Sequence, residues 1–595
     1  MITTYHLSFK MLNKIIASTG KVTVLTVCIL THLAYAADPA TDALIRQQQR
    51  DAALEKQMQP DVHVSLQEQK LQKQDISLQF PQQETPCFNI KNMVLTGDDA
   101  QTFRFYLYSA LKELKFKSGM CLGAGSINQI MTVAQNKIID AGYTTTRILA
   151  APQNLTSGKL RLTVIPGRIR TIKFDENNIE QTHVNRIKDS HNVMPFSAGD
   201  ILNLRQIEQG LENLKRLPTV EADIEIVPAD LPNESDIIIK WQQRTYPFRM
   251  SLSADNSGSD STGRFQGSAT LSIDHPLHLS DLFYVTYSRD LADRQEYTDI
   301  EGNHAGSGTN GYTVYYSAPY KNWLFSIDSG KNKYHQAVAG DSQVYTYSGE
   351  SKTSNATLSR LVYRDAHRKT TVNAGMWLRS SRNYIDDTEI EIQRRRTAGW
   401  QIGLEHSEYI GAAMMNASIN YKRGTGAWNA LTAPEEQFGE GTHLMQILNA
   451  DLGLSYPFKV NEQLFIYTLG IRSQWNQTPL VSNDQFSIGS RYTVRGFDEK
   501  NTLMAERGWY VRNDFAWQYQ PAQQFYVGLD AGHVSGASAE YLVGQTLAGT
   551  VAGFKGQFQA GGRWSYDLYM GTPVYKPRYF RTDDMNIGFN LFYSF

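Results

Sequence analysis

The last ten residues of the chain, Asn586-Ile587-Gly588-Phe589-Asn590-Leu591-Phe592-Tyr593-Ser594-Phe595, alternate between two kinds of side chain. Successive side chains of a β-strand point to opposite faces, so this segment has one apolar and one polar face. The apolar face carries Ile587, Phe589, Leu591, Tyr593 and Phe595. A strand of about ten residues with this pattern has the length and amphipathicity of one that crosses a lipid bilayer.

The same alternation recurs between residues 245 and 595. Residues 248–254, 413–421 and 448–456 each place apolar side chains at every second position. We count about sixteen such strands, a number within the range of outer-membrane barrels. In lipid only a closed barrel lets every strand pair its backbone groups, so we predict a transmembrane β-barrel of about sixteen antiparallel strands. A large soluble β-domain is the alternative.

The overall composition is that of an ordinary soluble chain and hides this pattern. The 595 residues contain 58 Lys and Arg against 59 Asp and Glu, for a formal net charge of -1, and the mean hydropathy is -0.41. The chain lacks the basic excess of a nucleic-acid-binding protein, so we expect no nucleic-acid partner. The aromatic residues are unevenly placed, because 27 of the 32 Tyr follow residue 244. Aromatic girdles at two membrane interfaces account for such an excess.

The N-terminus has the features of a secretory signal peptide. Three lysines precede an apolar run over residues 22–33, and Ala34-Tyr35-Ala36 follows it. This order predicts a signal peptide over residues 1–36, cleaved after Ala36. An N-terminal membrane anchor is the alternative, although the apolar run is short for a span.

Residues 37–60 are expected to form a helix. Asp38 and Pro39 suit the cap and the first helical position, and the segment stops before Pro60. The helix would be polar nearly all round, so it cannot belong to a hydrophobic core and must lie in water or in a polar cavity. The Gln-rich residues 61–86 lack sustained periodicity and are expected to form a linker.

Two similar units follow, over residues 87–167 and 168–244. In each, the hydrophobic periodicity predicts the order β-α-α-β-β, with Ser126 as the N-cap of one helix in the first unit and a helix over residues 182–189 in the second. This order resembles the POTRA domain, a periplasmic module that handles unfolded chains. Two unrelated small α+β domains are the alternative.

The cysteines suggest one disulfide. Cys28 would leave with the signal peptide, and Cys87 and Cys121 remain. In an oxidising compartment, two cysteines 34 positions apart are expected to pair. Two buried free thiols are the alternative.

No pattern in the sequence points to catalysis. The chain lacks H-E-x-x-H, G-x-x-x-x-G-K-[ST] and G-x-S-x-G motifs, and its 13 His have no metal-ligand spacing. Residues 306–311 match G-x-G-x-x-G, but without the strand-to-helix unit that gives this motif its meaning. We therefore expect neither an enzyme nor a bound cofactor or metal.

One motif stands out within the barrel region. Val494-Arg495-Gly496-Phe497 combines a glycine suited to a tight turn with a guanidinium suited to a bidentate carboxylate. A loop folded into a polar lumen needs such an anchor, and we predict an ion pair between Arg495 and Asp530. Asp514 is the second candidate, and an exposed arginine at a loop tip is the alternative.

Together these features resemble the TpsB family, the outer-membrane transporters of two-partner secretion, which includes haemolysin and contact-dependent-inhibition transporters. The resemblance covers the whole mature chain and is carried by the two repeats and by Val494 to Phe497. It implies that residues 37–60 form a plug helix in the pore, that the repeats receive an unfolded exoprotein, and that the loop with Arg495 locks the lumen. It also implies that Tyr593 and Phe595 form the terminal signal read by the barrel-assembly machinery.

The resemblance implies partners and a location as well. These are a large secreted exoprotein of the TpsA type, with a CdiA-like toxin as the preferred subgroup, together with outer-membrane lipid and the barrel-assembly machinery. We expect a monomer in the Gram-negative outer membrane with its N-terminal domains in the periplasm. The alternatives are a barrel-assembly or insertion factor, a small-solute porin and an outer-membrane enzyme.

Overall fold

The computed structural model describes residues 39–58, 64, 79–81, 84–175, 192–292, 294–341 and 343–595. The predicted signal peptide, most of the predicted linker and the predicted helix over residues 182–189 lie outside these residues. The described α-helices are α1 (Pro39–Met58), α2 (Ala100–Glu113), α3 (Ala124–Asp140) and α4 (Leu204–Lys215). Among these described helices, none is long and apolar enough to cross a membrane.

The first α+β unit has five strands, three of which form its main sheet. Its strands are β1 (Phe88–Ile90), β2 (Asn92–Gly97), β3 (Met120–Leu122), β4 (Arg147–Leu149) and β5 (Lys159–Ile165). The sheet has the order β2-β5-β4, and β1 pairs with β3 beside it. Helices α2 and α3 bury apolar side chains such as Phe103, Leu107 and Ile130 against Leu160 and Leu162 of the sheet. A disulfide joins Cys87 to Cys121.

The start of α3 differs from the sequence prediction. We predicted Ser126 as the N-cap, which is wrong, because the helix begins at Ala124 and its cap position is Gly123. Glycine has no capping side chain, and Glu84 supplies the acceptor instead. The backbone nitrogens of Gly123 and Ser126 donate to the Glu84 carboxylate at 2.8 and 3.0 Å, and the Ser126 hydroxyl donates to it as well. The cap comes from a residue 39 positions away from Gly123, so no local pattern could reveal it.

The second α+β unit repeats the plan. Its strands are β6 (Arg168–Phe174), β7 (Val220–Pro228) and β8 (Glu234–Gln243), in the order β6-β8-β7. Helix α4 covers one face, where Ile207 and Leu211 pack with Ile237 and Ile239. Both units therefore share a parallel strand pair, β2 with β5 and β6 with β8, which agrees with an internal repeat.

Sixteen antiparallel strands form a closed barrel in the described part of the chain, as the alternation predicts. They are β9 (Phe248–Asp255), β10 (Phe265–Asp274), β11 (Leu282–Ala292), β14 (Gly308–Tyr320), β15 (Trp323–Ala339), β16 (Val344–Arg364), β17 (Arg368–Ile385), β19 (Arg395–Ile410), β20 (Ala413–Thr425), β21 (Gln446–Val460), β22 (Gln463–Asn476), β25 (Arg507–Gln520), β26 (Gln523–Ser535), β27 (Thr546–Gln559), β28 (Arg563–Tyr575) and β29 (Asn586–Ser594). The remaining strands lie in loops and are β12 (Glu296–Thr298), β13 (His304–Gly306), β18 (Thr388–Glu389), β23 (Phe486–Ile488) and β24 (Leu503–Ala505).

The barrel closes where its last strand meets its first. Strand β29 pairs antiparallel with β9, from Asn590 opposite Asp255 to Ser594 opposite Ser251. The alternating C-terminal segment is thus the closing strand of the barrel.

The second unit is fixed to one rim of the barrel by buried charges. Arg364, at the end of β16, contacts Glu208 and Glu212 of α4 at 3.3 and 2.9 Å. Lys369 also reaches Glu212, at 2.7 Å. The three side chains Arg364, Glu208 and Glu212 are 5% exposed or less, so the unit cannot leave the rim without exposing or orphaning them.

Replacing Glu84 with Gln is expected to weaken the start of α3. Partial burial alone would raise the pKa of Glu84, but hydrogen bonds from Ser126 and Gly123 outweigh it and hold this pKa below its usual value. Losing the charge at a helix N-terminus lowers the stability of the helix by about 1 kcal/mol. The amide exchange of the first turn should therefore become about fivefold faster. Hydrogen-exchange mass spectrometry of the full chain measures this at Gly123 and Ser126.

The matched control is Glu113→Gln, because Glu113 pairs with Lys137 at the surface of the same unit. The Glu84 contribution is present above its usual pKa of 4.5 and is lost as the pH falls through the lower folded value. Equal protection in E84Q, E113Q and the unaltered chain would contradict the cap.

Candidate functional site

The loop between β22 and β25 folds into the barrel rather than away from it. Its hairpin of β23 and β24 carries the motif of residues 494–497 at its tip. Val494 and Phe497 are 0% and 1% exposed. They pack in an apolar cluster that includes Val534 and Leu547 of the barrel wall and Phe580 of the loop after β28. The tip is therefore held partly by burial.

Arg495 fastens the tip to two neighbouring strands. Its Nε and Nη2 donate to the two carboxylate oxygens of Asp530 at 2.7 and 2.8 Å, and its backbone nitrogen donates to Asp530 at 3.0 Å. Its Nη1 and Nη2 also donate to Asp514, from Nη1 at 3.4 Å. The structure thus brings both sequence candidates to one guanidinium, with Asp530 on β26 and Asp514 on β25.

The charges of this cluster are largely buried, so each of them needs a paired, hydrogen-bonded partner. The side chains of Arg495 and Asp530 are 4% and 1% exposed, while that of Asp514 is 16% exposed. A buried charge is tolerated only when it is paired and hydrogen-bonded, and the fork of Arg495 satisfies both acids at once. Asp530 accepts three of its hydrogen bonds and is the principal anchor.

Glycines let the tip approach the wall. Gly496 has a φ of +102°, and a Cβ there would lie 2.6 Å from the carbonyl oxygen of Thr572. A Cβ on Gly549 of β27 would lie 2.0 Å from the carbonyl oxygen of Arg495. Any larger side chain at either position would push the loop off the wall.

Helix α1 lies inside the barrel and contacts the same loop. Arg46 forms an ion pair with Glu499, Nη1 to Oε2 at 3.2 Å, and donates to the Glu499 carbonyl oxygen. Thr41 donates to Asn483 at 2.9 Å, and the Ser490 hydroxyl donates to Gln49 at 3.1 Å. These partners belong to the inward-folded loop, so the helix is seated on the loop by polar contacts.

Glu499 joins the helix to the barrel wall. Besides Arg46 it accepts from Arg491, whose Nε lies 3.1 Å away and whose backbone nitrogen lies 3.0 Å away. Arg491 in turn donates to Asn256, just after β9. Sequence reasoning missed Arg46, Arg491 and Glu499, because each is an unremarkable charged residue whose partner is remote along the chain.

The terminal residues lie at the barrel seam. The hydroxyl of Tyr593 donates to the carbonyl oxygen of Gly561 at 2.7 Å, and its ring lies 4.6 Å from that of Trp564. The backbone nitrogen of Phe595 donates to Met250 at 3.1 Å, and its side chain is 57% exposed. Within the described residues, no three His, Cys, Asp or Glu side chains are grouped so that they could hold a metal.

This arrangement defines a class of protein. A closed barrel whose polar interior holds a helix and an anchored loop, preceded by two α+β units of which the second lies on one rim, is an outer-membrane transporter with periplasmic N-terminal domains.

The comparison with known families agrees with this class. Residues 233–556 match the family described as haemolysin secretion/activation protein ShlB/FhaC/HecB. Residues 88–167 match the ShlB-type POTRA domain, and residues 168–228 match a second POTRA family. The chain belongs to the ShlB/FhaC/HecB family, the TpsB transporters of two-partner secretion.

Individual relatives extend this match. The chain is 33% identical to outer membrane transporter CdiB-2 of Burkholderia pseudomallei (strain 1026b), over 85% of this chain and 86% of the relative. It is 23% identical to hemolysin transporter protein ShlB of Serratia marcescens, over 66% of each. The solved structure of CdiB from Acinetobacter baumannii matches with a TM-score of 0.77 and 28% identity, over 94% of this chain and 99% of that one.

Removing Asp530 is expected to loosen the loop more than removing Asp514. Asp530→Asn leaves the buried Arg495 short of its main partner, which costs about 3–5 kcal/mol. Asp514 is partly exposed, and Asp514→Asn should cost about 1.5 kcal/mol. Amide exchange of residues 494–498 should therefore rise by at least about 100-fold in D530N and about tenfold in D514N.

Asp451→Asn is the control, because Asp451 pairs with Arg472 at 3.5 Å on an exposed stretch of the barrel. Equal exchange in D530N and D451N would refute Asp530 as the anchor of the loop.

Proposed function

We propose that this protein receives an unfolded exoprotein in the periplasm on its two N-terminal units and passes it through the barrel to the cell surface. The observation that carries the proposal is helix α1, which occupies the lumen and meets the inward-folded loop through polar contacts. Its C-terminal Leu54 and Met58 pack in the apolar cluster of the second unit. The family is described as a haemolysin secretion/activation protein and not as a barrel-assembly factor, which favours transport over barrel assembly.

Helix α1 has the chemistry of a removable plug. Its contacts with the loop are hydrogen bonds and the Arg46–Glu499 ion pair. Water can replace the neutral hydrogen bonds, each of which has a net free energy of only about 0.5–1.5 kcal/mol. Arg46 and Glu499 are buried, at 8% and 9% exposure, but Glu499 keeps Arg491 as a partner when Arg46 withdraws, so its carboxylate is not left unpaired. An apolar plug would instead have to expose hydrophobic surface whenever the pore opened.

The N-terminal units offer surfaces for an extended chain. Strands β2 and β4 are the edges of the first sheet, and β6 and β7 are the edges of the second. An extended segment can add to such an edge through backbone hydrogen bonds without requiring one sequence. Phe105 and Tyr108 of α2 are 73% and 60% exposed and add apolar contact area beside the first sheet.

The position of the second unit directs this chain to the pore. The ion cluster of Arg364, Lys369, Glu208 and Glu212 holds α4 on the rim. It also includes Val64 of the segment that follows α1, whose carbonyl oxygen accepts from Arg364 at 2.6 Å and whose nitrogen donates to Glu212 at 3.0 Å. The second unit and the segment that follows helix α1 are thus held by the same ion cluster.

The partners follow from the family. Its relatives include CdiB, HpmB and ShlB transporters, and we propose a TpsA-type exoprotein, with a CdiA-like toxin as the preferred cargo. We further propose export by a signal peptide over residues 1–36, insertion by the barrel-assembly machinery through the terminal Tyr593 and Phe595, and function as a monomer. Folding of the exoprotein outside the cell supplies the direction of transport.

The transport function is tested by surface display of an exoprotein encoded beside this chain, in a host that lacks both genes. The full chain should display it, and deletion of residues 87–167 should abolish display while the barrel still assembles. Normal display without that unit would contradict its role as the receiver.

Deleting residues 39–58 is expected to raise the open-pore conductance in planar bilayers. Arg46→Gln, which breaks the pair with Glu499, should increase the frequency of openings without changing the open level. The control is Lys56→Gln in the last turn of the same helix. An unchanged conductance after the deletion would show that α1 does not obstruct the pore.

Arg364→Gln is expected to free the second unit from the rim. It leaves Glu208 and Glu212 buried with less compensation, at a cost of about 3–5 kcal/mol. Amide exchange in α4 should rise at least about 100-fold, and display of the exoprotein should fall. Arg360→Gln, four residues earlier on β16 and stacked over Trp323, is the matched control and should change neither.

A further inference from the structure

A cluster of basic side chains lies on the outer wall of the barrel, away from the lumen. Side chains that lie directly opposite each other in a strand pair share one face of the sheet. Arg379 reaches Asp484 of the inward-folded loop, so it points into the lumen and its neighbours at 378, 380 and 382 point outward. The registers carry this outward face across β15, β16, β17 and β19.

On that face the side chains form successive rows. One row joins Phe325, Leu358, Ala374 and Ile402, and the next joins Ile327, Ala356, Met376 and Trp400. After a row of Ser329, Ser354, Leu378 and Ala398, the character changes to Lys331, Lys352, Ser380 and Arg396, and then to Lys333, Glu350 and Arg382. The wall is therefore apolar near the rim that holds the second unit and basic near the opposite rim.

The height of the basic rows coincides with a membrane interface. Lys331 lies eight residues along β15 from Trp323, whose row also contains Arg360 and Val372 near the periplasmic turns. Eight residues span about 27 Å of strand, or about 20 Å of height at the usual strand tilt. The Lys333 row, two residues further along β15, lies about 25 Å above the Trp323 row. The apolar band of outer-membrane barrels is about 25 Å tall, so the basic rows lie at its upper edge, beside the head groups of the outer leaflet.

The cluster holds more positive charge than its carboxylates neutralise, with six cations against Glu350, Glu389 and Glu391. Arg394 pairs with Glu389, Nε to Oε1 at 2.6 Å, and its Nη2 lies 3.9 Å from Glu391. Glu350 lies 2.8 Å from Lys331, 3.1 Å from Lys352 and 3.9 Å from Lys333. One carboxylate thus faces three ammonium groups. Arg382 is exposed, and Arg396 donates to the neutral carbonyl oxygen of Trp428 at 2.8 Å, so these guanidinium groups add to the excess.

Two adjacent cavities lie on the surface of this cluster. One, of about 190 Å³, is lined by residues that include Tyr312, Lys331, Lys352 and Arg396. The other, also of about 190 Å³, is lined by residues that include Lys352, Arg382, Arg394 and Arg396. Lys352 and Arg396 belong to both, so a ligand with more than one anionic group could contact them from either side.

We propose that Lys331, Lys333, Lys352, Arg382, Arg394 and Arg396 form a binding site for a phosphorylated glycolipid of the outer leaflet. Its phosphates pair with the lysines and arginines, its sugar lies over the two cavities, and its acyl chains cover the apolar rows below. A soluble phosphate or a polypeptide would not use the apolar rows, which continue directly from the basic ones. The site fixes the depth and orientation of the barrel on the side of β15 to β19.

The test is native mass spectrometry of the full chain in non-ionic detergent with diphosphoryl lipid A as the probe. The variant K331Q/K352Q/R382Q should bind the probe at least about tenfold more weakly than the unaltered chain. The control R360Q/R368Q/K459Q removes the same charge from the periplasmic ends of the strands and should change the affinity less than twofold. Lipid A without its phosphates should bind the unaltered chain as weakly as diphosphoryl lipid A binds the triple variant.

Three results of the binding experiment would overturn the proposal: equal weakening by the two triple variants, equal binding of phosphorylated and dephosphorylated lipid A, or full displacement by millimolar inorganic phosphate. A loss of exoprotein display with unchanged lipid binding would assign the cluster to the polypeptide and would also overturn it. The single variant K352Q, which leaves the other cations in place, should weaken binding about threefold and keeps the test decisive if the triple variant assembles poorly.

Discussion

The requirement that every backbone N–H and C=O have a partner in lipid determines the rest of this structure. The chain meets it by pairing β29 with β9 and so closing sixteen strands into one barrel. Closure at this size leaves a polar interior too wide for the wall's own side chains to fill. Helix α1 and the inward-folded loop occupy that interior, so the lumen contents are a consequence of the number of strands.

The two occupants are held in different ways, and the difference suits a transporter. Arg495 is buried and forms ion pairs with Asp514 and Asp530. Gly496 and Gly549 let the loop backbone lie directly against the barrel wall, so the loop behaves as part of the wall. Helix α1 rests on that loop mainly through polar contacts such as Arg46 with Glu499. Both sets of contacts are buried, since the side chains of Arg46 and Glu499 are 8% and 9% exposed. They differ in what a separation would leave behind: without Arg46, Glu499 keeps Arg491 as a partner, whereas Arg495 would lose both of its acids.

The barrel and the repeats were predictable because their signals are local. Alternation with period two, as in residues 586–595, is visible in any short window, and so is the helical period of α4. The pairing of remote residues carries no such signal. Sequence reasoning treated Asp530 and Asp514 as alternatives, whereas one guanidinium reaches both. It missed the Glu84 cap and the Arg364 cluster, since their partners come together only in the folded chain.

The contacts of Val64 have a kinetic consequence. Val64 is held at the rim by Arg364 and Glu212, and α1 ends six residues earlier, at Met58. Six residues span at most about 20 Å. A helix that leaves the lumen therefore remains tethered within that distance of the pore opening. Its return is then an intramolecular event at a high effective concentration. In the proposed mechanism, reclosing of the pore would therefore not depend on how many copies of the protein the membrane contains.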